Sequence, residues 1–181
     1  MHTTMELAAA STAIDACVAL ASDVQGSLLV DARTEAKLPF NALVTGTSDR
    51  LERFEAVADV GLYLVCRRRI KPGTPAVVGV FPLVHHPDLT HEACDAHWRD
   101  NHAPLALAHH AHMAAYDQLS VVKVLSGLPL DGIALCGFAS EVDLRERFFT
   151  TEASVAVIRD DVARFANTKA SPRRLVATRL R

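Results

Sequence analysis

The sequence predicts an α+β protein in which two similar βαββαβ units pack together through the open faces of their sheets. The predicted elements of the second part of the chain follow the order β-α-β-β-α-β, the split βαβ pattern of a ferredoxin-like unit. The first part has the similar order helix, strand, strand, helix, strand. A sheet that carries helices on one face must bury its other face, so we expect the two sheets to pack together. We therefore divide the chain into a half at 1–73 and a half at 74–181.

In the first half, apolar residues recur at helical spacing from Leu7 to Ala21. They predict an amphipathic core helix, preceded by no more than a poor strand near Met5. Short apolar runs between turn residues predict three strands, at 27–32, 41–45 and 62–66. Asp49 and Glu52 have the spacing of a capping box, which predicts the start of a short helix. Residues 70–75 contain two prolines and a glycine, so they form the predicted linker.

In the second half, apolar and β-branched runs predict four strands, at 76–84, 118–125, 132–138 and 173–180. Helical periodicity predicts four helical segments, at 90–102, 105–115, 142–149 and 152–165. Thr90 is a suitable N-cap for the first of them, and Glu92 in its first turn favours the helix dipole. Pro104 fits the first turn of a renewed helix.

Composition excludes several classes of function. The formal charge of the 181 residues is only −2, which gives no electrostatic footprint for nucleic acid, and the basic run 67–69 is too short to supply one. The apolar segment 7–21 lacks a basic flank and is interrupted by acids, so we expect neither a signal peptide nor a membrane span. The four cysteines are scattered, without a Cys-x-x-Cys pair, and favour a reducing cytoplasm.

The segment 85–112 holds eight of the nine histidines and the only tryptophan. Within its predicted helix, Cys94, Trp98 and His102 are four residues apart and lie on one stripe. Imidazole titrates near neutral pH, so His102 is a candidate general acid or base with Trp98 as a pocket wall. The alternative is that Trp98 belongs to the core and His102 interacts with the helix dipole at the helix end. We expect both rings to look toward a hollow enclosed by the opposed sheets.

Further candidates surround this stripe. His97 and Asn101 form an adjoining stripe, and Tyr116 could place a phenol near the pocket. A metal site is the other interpretation of the clustered histidines. The spacing of His97 and His102 is awkward for one, and the group at 109–112 has no carboxylate nearby, so we expect no metal.

The second half resembles the EthD domain family, a branch of the dimeric α+β barrel superfamily. The first matching block is a Thr-started helix with Trp98 and the ending His102-Ala103-Pro104. Two further blocks occur in the family's order, at 131–138 and 149–165. The resemblance covers about 76–181, and residues 1–75 look like a degenerate partner copy that would complete a pseudo-dimeric α+β barrel within one chain.

This resemblance implies opposed ferredoxin-like sheets and a pocket between a sheet face and its helices. It also implies cofactor-free decarboxylation, dehydration, cyclisation or isomerisation of small, often aromatic molecules. By position it implies that His102 is the catalytic or substrate-contacting residue and that Trp98 lies in the pocket or core. Cys94 and His97 stand where the family often has aromatic residues. The resemblance thus leaves room for a larger pocket and for a two-histidine proton relay.

We therefore expect a lyase or isomerase that uses no cofactor and acts on a small hydrophobic or aromatic metabolite. His102 would be the general acid or base, with His97 and Tyr116 as further catalytic residues. Trp98, Cys94 and Asn101 would contact the substrate. The alternatives are a non-catalytic carrier that uses the same cavity and, less favoured, a haem-binding protein. We expect neither a nucleic acid nor a membrane as partner, and a homodimer remains open.

Overall fold

The computed structural model describes residues 2–24, 26–33, 37–47 and 49–181, and in them eight strands form one antiparallel sheet. The strands are β1 His2–Ser11, β2 Ser27–Val30, β3 Ala42–Gly46, β4 Gly61–Lys71, β5 Val77–Leu83, β6 Met113–Gly127, β7 Gly132–Phe138 and β8 Leu175–Arg179. The sheet closes into a barrel with the strand order β1-β3-β2-β8-β5-β7-β6-β4. The predicted α+β class is confirmed, and its strands form a closed antiparallel barrel.

Helices lie between the strands along the chain. The first half contributes α1 Ile14–Asp23 and α2 Leu51–Glu55. The second half contributes α3 His91–His97, a π-helical turn Trp98–His102, α4 Ala103–His109, α5 Glu141–Glu146 and α6 Glu152–Phe165. In the described part of the chain, no helix combines the length and the apolar character needed to cross a membrane.

The inside of the barrel is filled by side chains. Because successive strand residues point to opposite faces, each strand sends alternate residues inward. All eight strands contribute to one buried apolar cluster, in which Tyr63 is the largest side chain. Its other members are Ala8, Ala10, Leu29, Phe40, Leu43, Val65, Val78, Val80, Leu119, Val121, Leu130, Ile133, Leu135, Leu175 and Ala177.

The outer face of the barrel is covered by the helices in two regions. Leu7 and Ala9 of β1 point outward into a cluster with Cys17 and Leu20 of α1 and with Phe54 of α2. The outward residues of β5, β6 and β7 pack instead with the helices of the second half. The candidate site lies in this second region.

The predicted helix over residues 7–21 is wrong in its first part. Leu7 to Ser11 belong to β1, which pairs with both β3 and β4, and the helix begins only at Ile14. The run Leu-Ala-Ala-Ala is buried on both faces, and such a strand shows an unbroken apolar run instead of the alternation that usually marks a strand. Tertiary burial here overrides the high helix propensity of alanine.

Other boundaries differ by a few residues or more. The capping box at Asp49 and Glu52 is not formed, because α2 starts after Arg50 without a side-chain cap. β4 continues to Lys71, so the linker is shorter than predicted. The second helix of the histidine segment ends at His109, because β6 already begins at Met113. The segment predicted at 142–149 is helical only over Glu141–Glu146.

We predict that Gly127→Ala destabilises the protein. Gly127 ends β6 with φ of 85°, and an added Cβ would collide with the carbonyl oxygen of Val60. The free energy of unfolding in urea should fall by about 1–3 kcal/mol, because a left-handed backbone is strained for alanine. The neighbouring exposed substitution Ser126→Ala is the control, expected within about 0.5 kcal/mol of wild type. Equal stability of the two variants would contradict the prediction.

Candidate active site

A cavity of about 370 Å³ lies between the outer face of the barrel and the helices of the second half. Phe81, Tyr116, Ala134 and Cys136 from β5, β6 and β7 form its floor. The opposite side is lined by Trp98, His102, Ala106, His110, Phe148, Ile158, Val162, Phe165, Ala166, Thr168, Ser171, Pro172, Arg173 and Arg174. The cavity is therefore outside the barrel. The expected hollow between opposed sheets is wrong, because the barrel interior is occupied by the apolar cluster.

The π-helical turn determines how the histidine segment faces the cavity. Thr90 caps α3 as predicted, accepting a hydrogen bond from the backbone N–H of Ala93 at 3.2 Å. After α3 the Trp98 carbonyl accepts from the N–H of Ala103, five residues on. Pro104 has no N–H and disfavours a regular α-helical turn around the preceding carbonyls, which fits the wider turn. The turn brings both Trp98 and His102 into the cavity lining.

Trp98 is held on both sides of its ring. Gly132 at the start of β7 leaves the space for the indole, because an added Cβ would lie 2.5 Å from Trp98 Cζ3. The Arg68 guanidinium lies 5.4 Å from the ring centroid, within cation–π range. Arg68 is itself fixed by two hydrogen bonds to Asp95, at 2.6 and 2.8 Å. Trp98 is therefore a rigid wall of the cavity.

The hydroxyl proton of Tyr116 is left for a ligand. The Trp98 indole N–H donates to the Tyr116 oxygen at 3.2 Å. Gln118 Nε2 donates to the Trp98 carbonyl at 2.9 Å, which fixes the amide orientation, and also to the Tyr116 oxygen at 3.0 Å. The tyrosine oxygen thus accepts two hydrogen bonds, and among the described residues its own proton has no acceptor. Burial raises the pKa of Tyr116, so the phenol keeps this proton.

Asp161 of α6 binds two histidines at once. One carboxylate oxygen lies 2.8 Å from His102 Nδ1, and the other lies 2.8 Å from His97 Nε2. A carboxylate only accepts hydrogen bonds, so the Asp161-facing nitrogen of each ring carries the proton. Phe165, one turn along α6, contacts both rings at centroid distances of 5.1 Å. Asp161 therefore joins α6 to the helical segment that carries His97 and His102.

This arrangement makes His102 a base. With the proton on Nδ1, the neutral ring presents the lone pair of Nε2, for which the described residues supply no hydrogen-bond partner. Burial lowers the pKa of His102 below the ordinary value of 6.5, although the hydrogen bond to Asp161 opposes this shift. The ring is therefore neutral at physiological pH and can take up a proton at Nε2.

The predicted site residues are partly brought together. His102, Trp98 and Tyr116 line the cavity. His97 lies behind them and reaches the site through Asp161, so the two histidines share a carboxylate instead of contacting each other.

Cys94 and Asn101 lie outside the cavity lining. Cys94 is buried against Trp98 and Phe165, and burial raises the pKa of its thiol to about 12. Asn101 is exposed and its amide nitrogen lies 3.2 Å from His97 Nδ1. The positions of Cys94 and Asn101 therefore do not support the expectation that they contact the substrate. The described residues contain no group of three or more histidine, cysteine or acidic side chains placed to hold a metal ion.

Sequence reasoning missed Asp161, His110 and the arginines at 173–174. Asp161 shares the buried stripe of α6 with Ile158 and Phe165, and an acid on an apolar helical stripe was an available signal. His110 donates from Nδ1 to the Phe148 carbonyl at 2.7 Å, and burial lowers its pKa. No feature of the sequence separates His110 from its neighbouring histidines.

Comparison with known proteins finds a family model that matches part of the second half. Residues 86–169 match the family model described as the EthD domain. These residues, a little under half of the chain, are similar to the EthD domain. This match includes the helix from Thr90, the π-helical turn and Asp161, and it confirms the resemblance that these segments carry in the sequence. No curated protein matches the chain.

Two solved structures share the fold over almost the whole chain. An anthrone oxidase-like protein has a TM-score of 0.57 and 10% identity, and the match covers 99% of this chain and 92% of that one. A provisionally named monooxygenase from Lactobacillus acidophilus has a TM-score of 0.52 and 8% identity, with coverage of 99% and 94%. At such identities the likeness establishes the fold alone.

The comparisons correct the expected activity. Both similar structures are named for oxidation, and neither name describes elimination or isomerisation. The lyase or isomerase expected from the sequence is therefore wrong.

We predict that Asp161→Asn lowers the pKa of His102 further. The hydrogen bond and charge of Asp161 favour the protonated ring, so their loss leaves burial as the dominant influence. Titration of the His102 ring protons by NMR measures the shift. Asp160→Asn is the matched control, because Asp160 is exposed and pairs with Arg159. A His102 pKa that is unchanged or raised in Asp161→Asn would show that the carboxylate does not act on this ring.

Proposed function

We propose that this protein is an oxidative enzyme that uses dioxygen to convert an activated CH₂ group of a small aromatic ketone into a carbonyl group. The observation that carries the proposal is an unpaired, neutral His102 Nε2 in a cavity lined mainly by apolar and aromatic side chains. Such a cavity is the usual architecture for small hydrophobic ligands. The names of the two similar structures, anthrone oxidase-like protein and monooxygenase, support this chemistry.

The first step is proton transfer. A CH₂ group between an aromatic ring and a conjugated carbonyl is acidic, because its anion delocalises onto the carbonyl oxygen. His102 Nε2 accepts the proton, and the imidazolium that forms is stabilised by the Asp161 carboxylate at Nδ1. Asp161 and His97 are positioning residues in this scheme, since they act through the His102 ring.

Tyr116 stabilises the charge that develops on the carbonyl oxygen. Its two acceptor positions are occupied by Trp98 and Gln118, so its free O–H is available to the substrate oxygen. A preorganised donor in a dry site stabilises an oxyanion more strongly than water does.

The second step consumes oxygen. The electron-rich carbanion transfers one electron to O₂, and the resulting radical pair combines to form a C–O bond. The His102 imidazolium returns its proton to the peroxide oxygen. His102 then takes the remaining C–H proton as the O–O bond breaks and the carbonyl forms, and the departing hydroxide receives this proton and leaves as water. The balance is R₂CH₂ + O₂ → R₂C=O + H₂O, in which the substrate supplies all four electrons. One oxygen atom enters the product, so the same reaction fits both the oxidase and the monooxygenase names.

We also propose that the barrel consists of two ferredoxin-like halves, 1–73 and 74–181. The strand order β4-β1-β3-β2 in the first half is repeated as β8-β5-β7-β6 in the second. Each half has the same βαββαβ sequence of elements, with extra helical segments in the second. The order repeat supports a pseudo-dimer in which only the second half retains the site.

We predict that the protein accelerates the oxidation of anthrone and that His102→Gln loses this acceleration. Removal of the base should lower kcat/KM by about 100-fold or more. The measurement is oxygen uptake together with anthraquinone formation, after subtraction of the uncatalysed rate, and the expected ratio is one O₂ per anthrone. His86→Gln, in the loop outside the cavity lining, is the matched control and should retain the wild-type rate. Wild-type protein without turnover, or full activity of His102→Gln, would overturn the proposal.

We predict a rising acidic limb in the pH profile of kcat/KM. The base is active when neutral, and its pKa is lowered by burial. Activity should therefore increase as pH rises through a midpoint below the ordinary imidazole value of 6.5, and it should be level around neutral pH. A midpoint above that value would assign the limb to another group.

A further inference from the structure

A pair of arginines lines the same cavity as His102 and Tyr116. Arg173 and Arg174 precede β8 and both line the cavity. Arg174 is partly buried, and its guanidinium carbon lies 5.6 Å from the ring centroid of Phe81 and 5.9 Å from that of Phe148. The centroids of these two rings are themselves 5.6 Å apart, so the guanidinium lies beside both rings at the edge of an apolar space.

Arg174 has no acidic partner in the described residues, and no hydrogen bond joins it to them. Burial lowers the pKa of Arg174 most, the charges of Arg145 and Arg33 add to this effect, and Cys136 opposes it. The buried arginines of β4 are different. Arg67 pairs with Glu6 and Asp117, at 2.9 and 2.6 Å.

An arginine cannot relieve this situation by losing its proton, because guanidinium stays charged in proteins. A desolvated cation without a counter-ion is unfavourable, and it is stabilised by any anion that reaches it. Carboxylate matches the planar donor fork of guanidinium and can accept two parallel hydrogen bonds. The rings of Phe81 and Phe148 beside it favour an aromatic group next to that carboxylate.

We propose that the cavity binds an aromatic carboxylic acid, with its carboxylate on Arg174 and its reacting carbon directed toward His102. This inference rests on the proposed function and narrows its substrate class from aromatic ketones to those that carry a carboxylate. Arg173, which is exposed at the same edge, adds long-range attraction for the anion. Arg174 thereby determines which end of the substrate enters first.

The test compares an acid with its neutral isostere. Binding of 2-naphthoate and 2-naphthamide is measured by isothermal titration calorimetry, without oxygen and at low salt. Wild-type protein should bind the acid about tenfold or more tightly than the amide, since charged hydrogen bonds to guanidinium contribute this much. Added salt should weaken only the binding of the acid. Equal affinity for the two compounds would overturn the proposal.

Variants of Arg174 test whether this side chain causes the preference for the acid. Arg174→Gln should lose the preference for the acid while its affinity for the amide stays the same. Arg174→Lys should keep part of the preference, because it retains the charge without the fork. Arg159→Gln is the control, since Arg159 is exposed and pairs with Asp160 on α6. An unchanged acid preference in Arg174→Gln would overturn the assignment, and the retained amide affinity reports that the variant is folded.

The binding test is independent of turnover, because neither naphthalene probe has an oxidisable CH₂ group. If the protein binds the acid more tightly than the amide but does not oxidise anthrone, the anion site is supported and the proposed reaction is wrong. If the protein oxidises anthrone but binds the acid and the amide equally, the reaction is supported and the anion site is wrong.

Discussion

Closure of the barrel is the constraint on which the rest of the structure depends. β4 and β6 pair along most of their lengths, and β2 and β8 complete the ring through Leu29 with Arg179 and Val30 with Thr178. Once the ring is closed, the inward side chains of all eight strands meet in one core, and this core occupies the enclosed space. A ligand site must then lie on the outer face, where helices and strands leave a gap.

The gap becomes a chemical site through Asp161. Its two hydrogen bonds tie α6 to the segment of His97 and His102, and they also decide which nitrogen of His102 carries the proton. The contact between Asp161 and His102 therefore both fixes the position of α6 and leaves Nε2 of His102 unprotonated. The carbonyl of Trp98 likewise fixes the amide of Gln118, and because this amide donates to the Tyr116 oxygen, Tyr116 keeps a proton to donate. Structure and reactivity are thus set by the same few hydrogen bonds.

The sequence predicted what depends on local pattern. β7 and α6 have the predicted bounds, and Thr90 is the predicted N-cap, because alternation, helical spacing and capping are short-range signals. The second part of β1 was assigned to a helix because its small apolar residues are buried on both faces, which only the completed barrel determines. His102 and Trp98 were found as unusual residues of the segment 85–112, and Tyr116 was found as a phenol that follows this segment. Asp161 was missed because its partner His102 is 59 residues away in the chain, a distance that no periodicity reveals.

Burial then gives three cavity groups different roles through one physical effect. Loss of hydration disfavours charge, so the imidazole of His102 stays neutral and acts as an acceptor of protons. The same effect keeps the phenol of Tyr116 protonated and makes it a donor. Partial burial also disfavours the charge of Arg174, but a guanidinium does not lose its proton. A bound anion would therefore stabilise it. A substrate with an acidic CH₂, a carbonyl oxygen and a carboxylate satisfies the three groups together. The roles of all three groups therefore depend on how far the cavity walls bury them.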